Sequence, residues 1–249
     1  MTATPARITL TSEAGTQTEE LFTPAGRDLV AGLWLQLSAQ YRLMYDLTWM
    51  GIPVIQLPGD IVMMQELIWR IRPDVIVECG LAHGGSAILY ASILELTGKG
   101  IVLGVDVEVR QYNRLAIESH PLAHRIRIIE GSSIDPSTVA RVHAACAGAR
   151  TVLAVLDSNH SAPHVRAELE AYHSLVTPGS YAVVMDGAQA LVAGIPAARP
   201  EWKQSHPLTA IAEFLEAHPE FSEDPRYTRT LVTSNPRGFL RRKATGEGW

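Results

Sequence analysis

Pro73-Asp-Val-Ile-Val-Glu78-Cys79-Gly80-Leu-Ala-His83-Gly84-Gly85-Ser86 joins an apolar, β-branched run to an acid, a glycine-rich turn and a helix-forming stretch over 87–96. A continuous apolar run of this length reads as a strand buried on both faces, as in parallel sheets covered by helices. A tight turn from such a strand into a helix N-terminus is where open α/β sheets hold small molecules. The glycines let the backbone approach a ligand that side chains would keep away. The spacing Glu78-x-Gly80-x-x-x-Gly84-Gly85-Ser86 is not the Gly-x-Gly-x-x-Gly pattern of dinucleotide sites. Glu78, Gly80, His83, Gly84 and Ser86 are the first candidates for contact with a bound cofactor.

Apolar runs recur at 75–79, 101–105, 125–129, 152–156 and 181–185, separated by segments with helical spacing such as 162–175. Strand–helix alternation predicts a mostly parallel sheet with helices on both faces. Near the end, 228–233 and 238–242 flank Ser234-Asn-Pro-Arg237 and read as a hairpin with an antiparallel final strand. Upstream, helices are predicted over 28–46 and 60–71, the second with Asp60 as N-cap, around a Gly- and Pro-marked loop at 49–58. The expected organisation is a flexible or partner-contacting arm at 1–25, N-terminal helices packed on the core at 26–72, and one α/β domain at 73–243.

The 249 residues suffice for one substantial domain, and the formal net charge of −5 argues against a nucleic-acid surface. The basic triplet Arg241-Arg242-Lys243 reads as a solvated tail. Cys79 and Cys146 give no disulfide framework, and Cys79 reads as a small core residue. With no leader-like start and no membrane-length apolar run, the expectation is a cytoplasmic protein without a membrane partner. Trp34, Leu37, Tyr41, Leu43, Met44 and Trp49 spread over more than one helix face, which predicts a homo-oligomer.

In such a sheet the ligand lies beyond the carboxyl ends of the strands. The second strand ends at Asp106, whose carboxylate could accept both hydroxyls of a ribose; the plainer alternative is a cap on the next helix. The third leads into Gly131-Ser132-Ser133-Ile-Asp135, small polar residues suited either to an adenine edge or to any turn before a helix. The fourth ends in Leu156-Asp157-Ser-Asn-His160 and the fifth in Met185-Asp186. Asp157 and Asp186 on neighbouring tips suit Mg²⁺, which takes hard oxygen ligands, unless both merely cap turns. His160, in the loop leaving the fourth strand, has the chemistry of a base for a hydroxyl proton, although isolated histidines are more often structural. The segment 187–207 is long for a loop and reads either as a substrate-selecting lid or as a surface insertion.

Three segments together resemble the cephalosporin hydroxylase / rhamnosyl O-methyltransferase family of S-adenosylmethionine-dependent enzymes: Arg72 to Ser86, Leu156 to His160, and Val183 to Asp186. Trp49-x-Gly51, Pro58-Gly-Asp60 and Asn235-Pro-Arg-Gly-Phe-Leu240 add to the likeness, which covers residues 49–242. The resemblance implies a Rossmann-like class I methyltransferase fold with a seven-stranded, mostly parallel sheet and an antiparallel last strand. It implies transfer of a methyl group to a hydroxyl of a sugar or natural product as small-molecule acceptor. S-adenosylmethionine would lie against Glu78, Gly80, His83, Gly84, Ser86, Asp106, Ser132 and Asp157. Asp157 and Asp186 would hold Mg²⁺, with His160 as general base. One departure stands out: the family usually carries Glu-Asp at the fifth strand end, where this chain has Met185-Asp186. A thioether is a poor Mg²⁺ ligand. Metal-independent transfer to nitrogen or carboxyl, other chemistry beside a retained cofactor, or cofactor binding without catalysis are the rival readings.

Overall fold

The computed structural model describes residues 6–13 and 15–244. The chain runs β1 (Arg7–Ser12), β2 (Gly15–Glu20), α1 (Pro24–Tyr41), β3 (Thr48–Trp49), β4 (Ile52–Pro53), α2 (Pro58–Ile71), β5 (Val75–Cys79) and α3 (Gly85–Thr97). It continues β6 (Ile101–Asp106), α4 (Gln111–Glu118), β7 (Ile126–Glu130), α5 (Pro136–Ala145), β8 (Val152–Leu156) and α6 (Ala162–Tyr172). Last come β9 (Tyr181–Val184), α7 (Gln189–Val192), α8 (Pro207–Ala217), β10 (Phe221–Glu223) and β11 (Phe239–Arg242).

Seven strands form one sheet in the order β10-β11-β9-β8-β5-β6-β7, with β11 antiparallel to both of its neighbours. From β5 the chain steps outward through β6 and β7, then crosses back to lay β8 on the other side of β5. This reversal opens a crevice at the carboxyl ends of β5 and β8, where doubly wound sheets bind ligands. Every residue of β5 and β8 is buried. One apolar layer packs the sheet against α2 and α3, through Met64, Leu67, Ile76, Ile88, Tyr90 and Leu153 among others. A second, containing Val77, Cys79, Leu169, Ile211 and Phe214, packs it against α6 and α8. Each large aliphatic side chain so buried contributes about 1.5–3 kcal/mol.

Several upstream expectations are corrected. Residues 7–12 and 15–20, within the expected flexible or partner-contacting arm, pair as antiparallel strands supported by the cross-strand hydroxyl pairs Thr9–Thr18 and Thr11–Thr16. The helix predicted over 28–46 starts earlier, capped by Thr23 with Pro24 at its first position, and stops at Tyr41 because Arg42 turns left-handed at φ 53°. Asp60 is not an N-cap: Leu57 occupies that position and Pro58 opens α2, so Asp60 falls in the first turn. Its fully buried carboxylate instead takes hydrogen bonds from the Thr233 hydroxyl at 2.5 Å and from the Ser234 N–H and hydroxyl at 2.8 and 2.6 Å. These bonds, with Arg229 Nη2 donating to both Glu66 carboxylate oxygens and a left-handed Leu231, divert 228–233 onto α2. The predicted strand there does not form, and Phe221–Glu223 pairs with β11 in its place.

The basic triplet is no loose tail. Arg241 and Arg242 lie in β11, and Arg242 donates to the Val176 carbonyl at 2.6 Å. Of the apolar residues read as surplus surface, Trp34, Leu37 and Tyr41 are exposed by 50, 49 and 68%. Trp49 instead packs against the protein's own core and donates its indole N–H to Ser92 at 3.1 Å. Met44 likewise joins the small cluster around Leu35 and Leu57. No helix of the described residues is long and apolar enough to cross a membrane.

Candidate active site

The glycine turn is set by steric necessity. Gly80 has φ 94°, and a Cβ there would collide with the Asp157 carbonyl, so the turns after β5 and β8 touch backbone to backbone. The same closeness appears in the bond from the Asp157 N–H to the Cys79 carbonyl, 2.8 Å. Asp106 reaches back over the turn, accepting from the Leu81 and Ala82 N–H groups at 2.8 and 3.2 Å through Oδ2 and from the Glu108 N–H at 3.2 Å through Oδ1. The carboxylate expected at a ribose is thus engaged in shaping the turn, with about one lone pair, on Oδ1, left over. His83 points toward α4, its Nδ1 3.4 Å from Asn113 Oδ1, while Asn113 donates to the Ala82 carbonyl at 2.7 Å. Gly84 caps α3 in the left-handed region and Ser86 lies in the first turn.

At the turn after β7 the small polar residues divide their roles. Asp135 caps α5 through the N–H groups of Ser137 and Thr138, and the Ser137 hydroxyl, aided by those N–H groups, holds its carboxyl below the usual range. Ser133 faces away, with its carbonyl accepting from the Tyr172 hydroxyl at 2.5 Å and its hydroxyl 3.2 Å from His164. Ser132 is half-buried at the start of the turn.

Glu78 is fully buried, and neither carboxylate oxygen has a hydrogen bond of good geometry. Burial, reinforced by the nearby Asp106 charge and only partly offset by the Ser86 hydroxyl, pushes its pKa up to about 8. Gln56 donates to the Tyr90 hydroxyl at 3.2 Å, but its buried Oε1 is unpartnered. An unsatisfied buried acid and amide oxygen beside a glycine turn fit a ligand bearing positive charge and donors, as the sulfonium and ammonium of S-adenosylmethionine are. A raised pKa in an acid lowers stability as pH rises from the ordinary carboxylate range through the raised value. Binding a cation here should reverse that by expelling the proton. Calorimetry of S-adenosylmethionine binding near pH 7, in buffers of differing ionisation enthalpy, is expected to show release of close to one proton (about 0.9 from a pKa of about 8). Glu78→Gln should lower that release by close to one proton, and buffer-independent heats in the parent chain would refute this role.

Three residues predicted from the strand tips converge. Asp157, His160 and Asp186 each offer a ligand atom, all within 4.8 Å of one another. His160 Nε2 lies 3.3 Å from Asp186 Oδ2. Burial raises the Asp157 pKa well above the carboxylate norm, and the neighbouring charges of Asp186, Glu78 and Glu168 add to it. Crowded carboxylates of this kind are relieved by a divalent cation, and two oxygen donors suit Mg²⁺. Met185 is buried in the apolar layer with Tyr181 and Val183 and gives the cluster no ligand.

Residues to which the sequence assigned no role in the site support the cluster. Asp186 is held at φ 57° by its N–H donating to Asn235 Oδ1 at 2.9 Å, and Asn235 is fully buried. Asp60 fixes Ser234 next to it. Ser158, beside Asp157, donates to the buried Glu168 at 2.6 Å and lies 3.0 Å from His164. A cavity of about 680 Å³ opens beside His160 and Asp186. Its walls include Arg42 and Tyr45 after α1, Gln56 before α2, and Gln189, Arg199 and Trp202 from the segment following β9. That segment, read as lid or insertion, is partly helical and lines the cavity.

The sheet order, the glycine turn and the acidic strand tips define a class I methyltransferase fold. Residues 41–243 match the family described as Rhamnosyl O-methyltransferase/CmcI. The chain is 30% identical over 202 residues to a rhamnosyl O-methyltransferase of Mycobacterium tuberculosis (strain ATCC 25618 / H37Rv), covering 78% of this chain and 77% of that protein. It is 32% identical over 143 residues to one from Mycobacterium leprae, a match spanning 56% of this chain and 59% of that protein. Among solved structures, one titled "cmcI-D160 Mg-SAM" superposes with a TM-score of 0.56 at 21% identity, covering 80% of this chain and 78% of that one. The chain belongs to the rhamnosyl O-methyltransferase/CmcI family of S-adenosylmethionine-dependent methyltransferases.

Proposed function

We propose that the chain methylates a hydroxyl of a sugar or sugar-bearing natural product, with help from Mg²⁺ and with His160 as base. The observation that carries this is the meeting of Asp157, His160 and Asp186 beside a cavity of about 680 Å³. Glu78, Gly80, His83, Gly84, Ser86, Asp106, Ser132 and Asp157 would hold S-adenosylmethionine, which when bound supplies an electrophilic methyl group. Asp157 and Asp186 would hold Mg²⁺, which when bound acidifies a hydroxyl and orients it. His160 takes the hydroxyl proton on an imidazole nitrogen, and Asp186 orients its ring and stabilises the resulting charge. Imidazole is a poor ligand for a hard cation, so His160 remains free for that task. The oxygen–carbon bond forms as the sulfur–carbon bond breaks. The likeness to rhamnosyl O-methyltransferases and the aromatic and polar cavity wall (Tyr45, Trp202, Gln189, Arg199) support a glycosyl acceptor.

The direct test offers rhamnosides and macrolide glycosides and measures S-adenosylhomocysteine. Turnover is expected with a hydroxyl acceptor, to be lost with EDTA and to return with Mg²⁺. EDTA-resistant turnover, transfer to nitrogen or carboxyl, or cofactor binding without turnover on any acceptor would contradict the reading. The exposed stripe Val30, Trp34, Leu37 and Tyr41, spaced i, i+4, i+7 and i+11 along α1, supports a homo-oligomer. Sedimentation should then show more than one chain per particle, and a monomer would remove this part of the proposal.

A further inference from the structure

At the end of the sheet where β9 and β10 begin, away from the cavity, α6 and α8 end side by side. Glu170 lies in the last turn of α6, His173 is its C-cap, and His218 is the C-cap of α8. Their ligand atoms all lie within 4.8 Å of one another. His173 Nδ1 faces the carbonyls of Leu169 and Glu170 at 3.1 and 3.0 Å. Carbonyls only accept, so Nδ1 carries the hydrogen and the Nε2 lone pair is left free. His218 Nε2 lies 3.1 Å from Glu170 Oε1, while its Nδ1 is 3.3 Å from Glu220 Oε1. The His218 ring is fixed between Phe214, stacked at 4.3 Å, and His173, at 4.4 Å between ring centres.

We infer that Glu170, His173 and His218 form a second metal site, for a first-row divalent ion of the Zn²⁺ type, distinct from the methyl-transfer centre. Two imidazoles and one carboxylate, with a water completing a tetrahedron, match the ligand preference of Zn²⁺ and not that of Mg²⁺. Ligands around such an ion stand about 3.3 Å apart, from bonds of roughly 2.0–2.1 Å, so small side-chain rotations close the cluster. Both imidazoles have their Nδ1 held by oxygen, the arrangement that orients metal-binding histidines. Two helix C-termini meet here, and their carbonyl ends favour a cation. The ion would clamp the bases of α6 and α8, whose opposite ends lead from the His160 loop and from the cavity-lining segment.

The test uses the full chain, stripped of metal and then dialysed against Zn²⁺ with excess Mg²⁺, with bound zinc counted and Co²⁺ absorption recorded in parallel. One tightly held Zn²⁺ per chain is expected, with a visible Co²⁺ band of tetrahedral intensity. His173→Gln and Glu170→Gln should weaken retention by roughly 100-fold and Glu220→Gln by roughly 10-fold, with S-adenosylmethionine affinity unchanged. His218→Ala is less suitable, because its ring is packed on Phe214 and the variant could unfold. No retained zinc, retention indifferent to His173→Gln, or retention lost only in Asp157→Asn would each overturn the inference. The first result would leave His218 as a hydrogen-bonded bridge between Glu170 and Glu220. The last would place the ion at the methyl-transfer centre.

Discussion

Asp157→Asn is expected to lower kcat by roughly three orders of magnitude while raising the melting temperature of the cofactor-free chain. The loss of rate corresponds to about 4 kcal/mol, within what a Lewis-acidic cation contributes to a transition state bearing an alkoxide. The gain in stability follows from the sign of the pKa shift. Burial, then the charges of Asp186, Glu78 and Glu168, hold the Asp157 pKa far above its ordinary value. The native state therefore binds its proton more tightly than the unfolded chain does. Stability falls as pH rises from the ordinary carboxylate range toward the raised value, and the penalty weighs on the protein at neutral pH. Asparagine removes the charge and keeps the shape. Each 1 kcal/mol recovered shifts the melting temperature by roughly 2–4 °C in a chain of this size. Thermal unfolding and steady-state kinetics on the same preparation check both halves. A variant that melts lower and still turns over would show that Asp157 serves the fold and not the reaction.

His160→Ala is expected to reduce kcat by about 10²- to 10⁴-fold, the usual contribution of a positioned base, with little change in S-adenosylmethionine affinity. His160 stands within ligand distance of the same cluster as the two aspartates, so metal affinity must be measured alongside. If Mg²⁺ binding weakens by the same factor as kcat, the imidazole is a ligand and the assignment as base is wrong.

Much of the sheet was legible because its strands are buried on both faces, so Val75–Cys79 and Val152–Leu156 stand out as uninterrupted apolar runs. The strand tips were legible for the same reason: where the run stops, Asp157 or Asp186 must emerge at the crevice. Long-range polar contacts leave no such trace. The bonds from Asp60 to Thr233 and Ser234 join residues more than 170 positions apart, and they decide both that 228–233 is not a strand and where Asn235 sits. Asn235 in turn holds the strained backbone of Asp186. The N-terminal hairpin did carry a signal, the alternating Thr9, Thr11, Thr16 and Thr18 about Gly15, which overall polarity obscured. Apart from the segment 187–207, the cavity wall could not be read, because Arg42 and Gln56 come from separate segments that meet it only in the folded chain.

The most direct measurement is a crystal structure with S-adenosylhomocysteine and Mn²⁺ in place of Mg²⁺, with anomalous scattering to locate the ion. The account predicts the adenosyl group along the turn from Gly80 to Ser86, and an anomalous peak bonded to carboxylate oxygens of both Asp157 and Asp186 within reach of the cavity. An empty turn, or a peak absent from between those aspartates at saturating Mn²⁺, would contradict it.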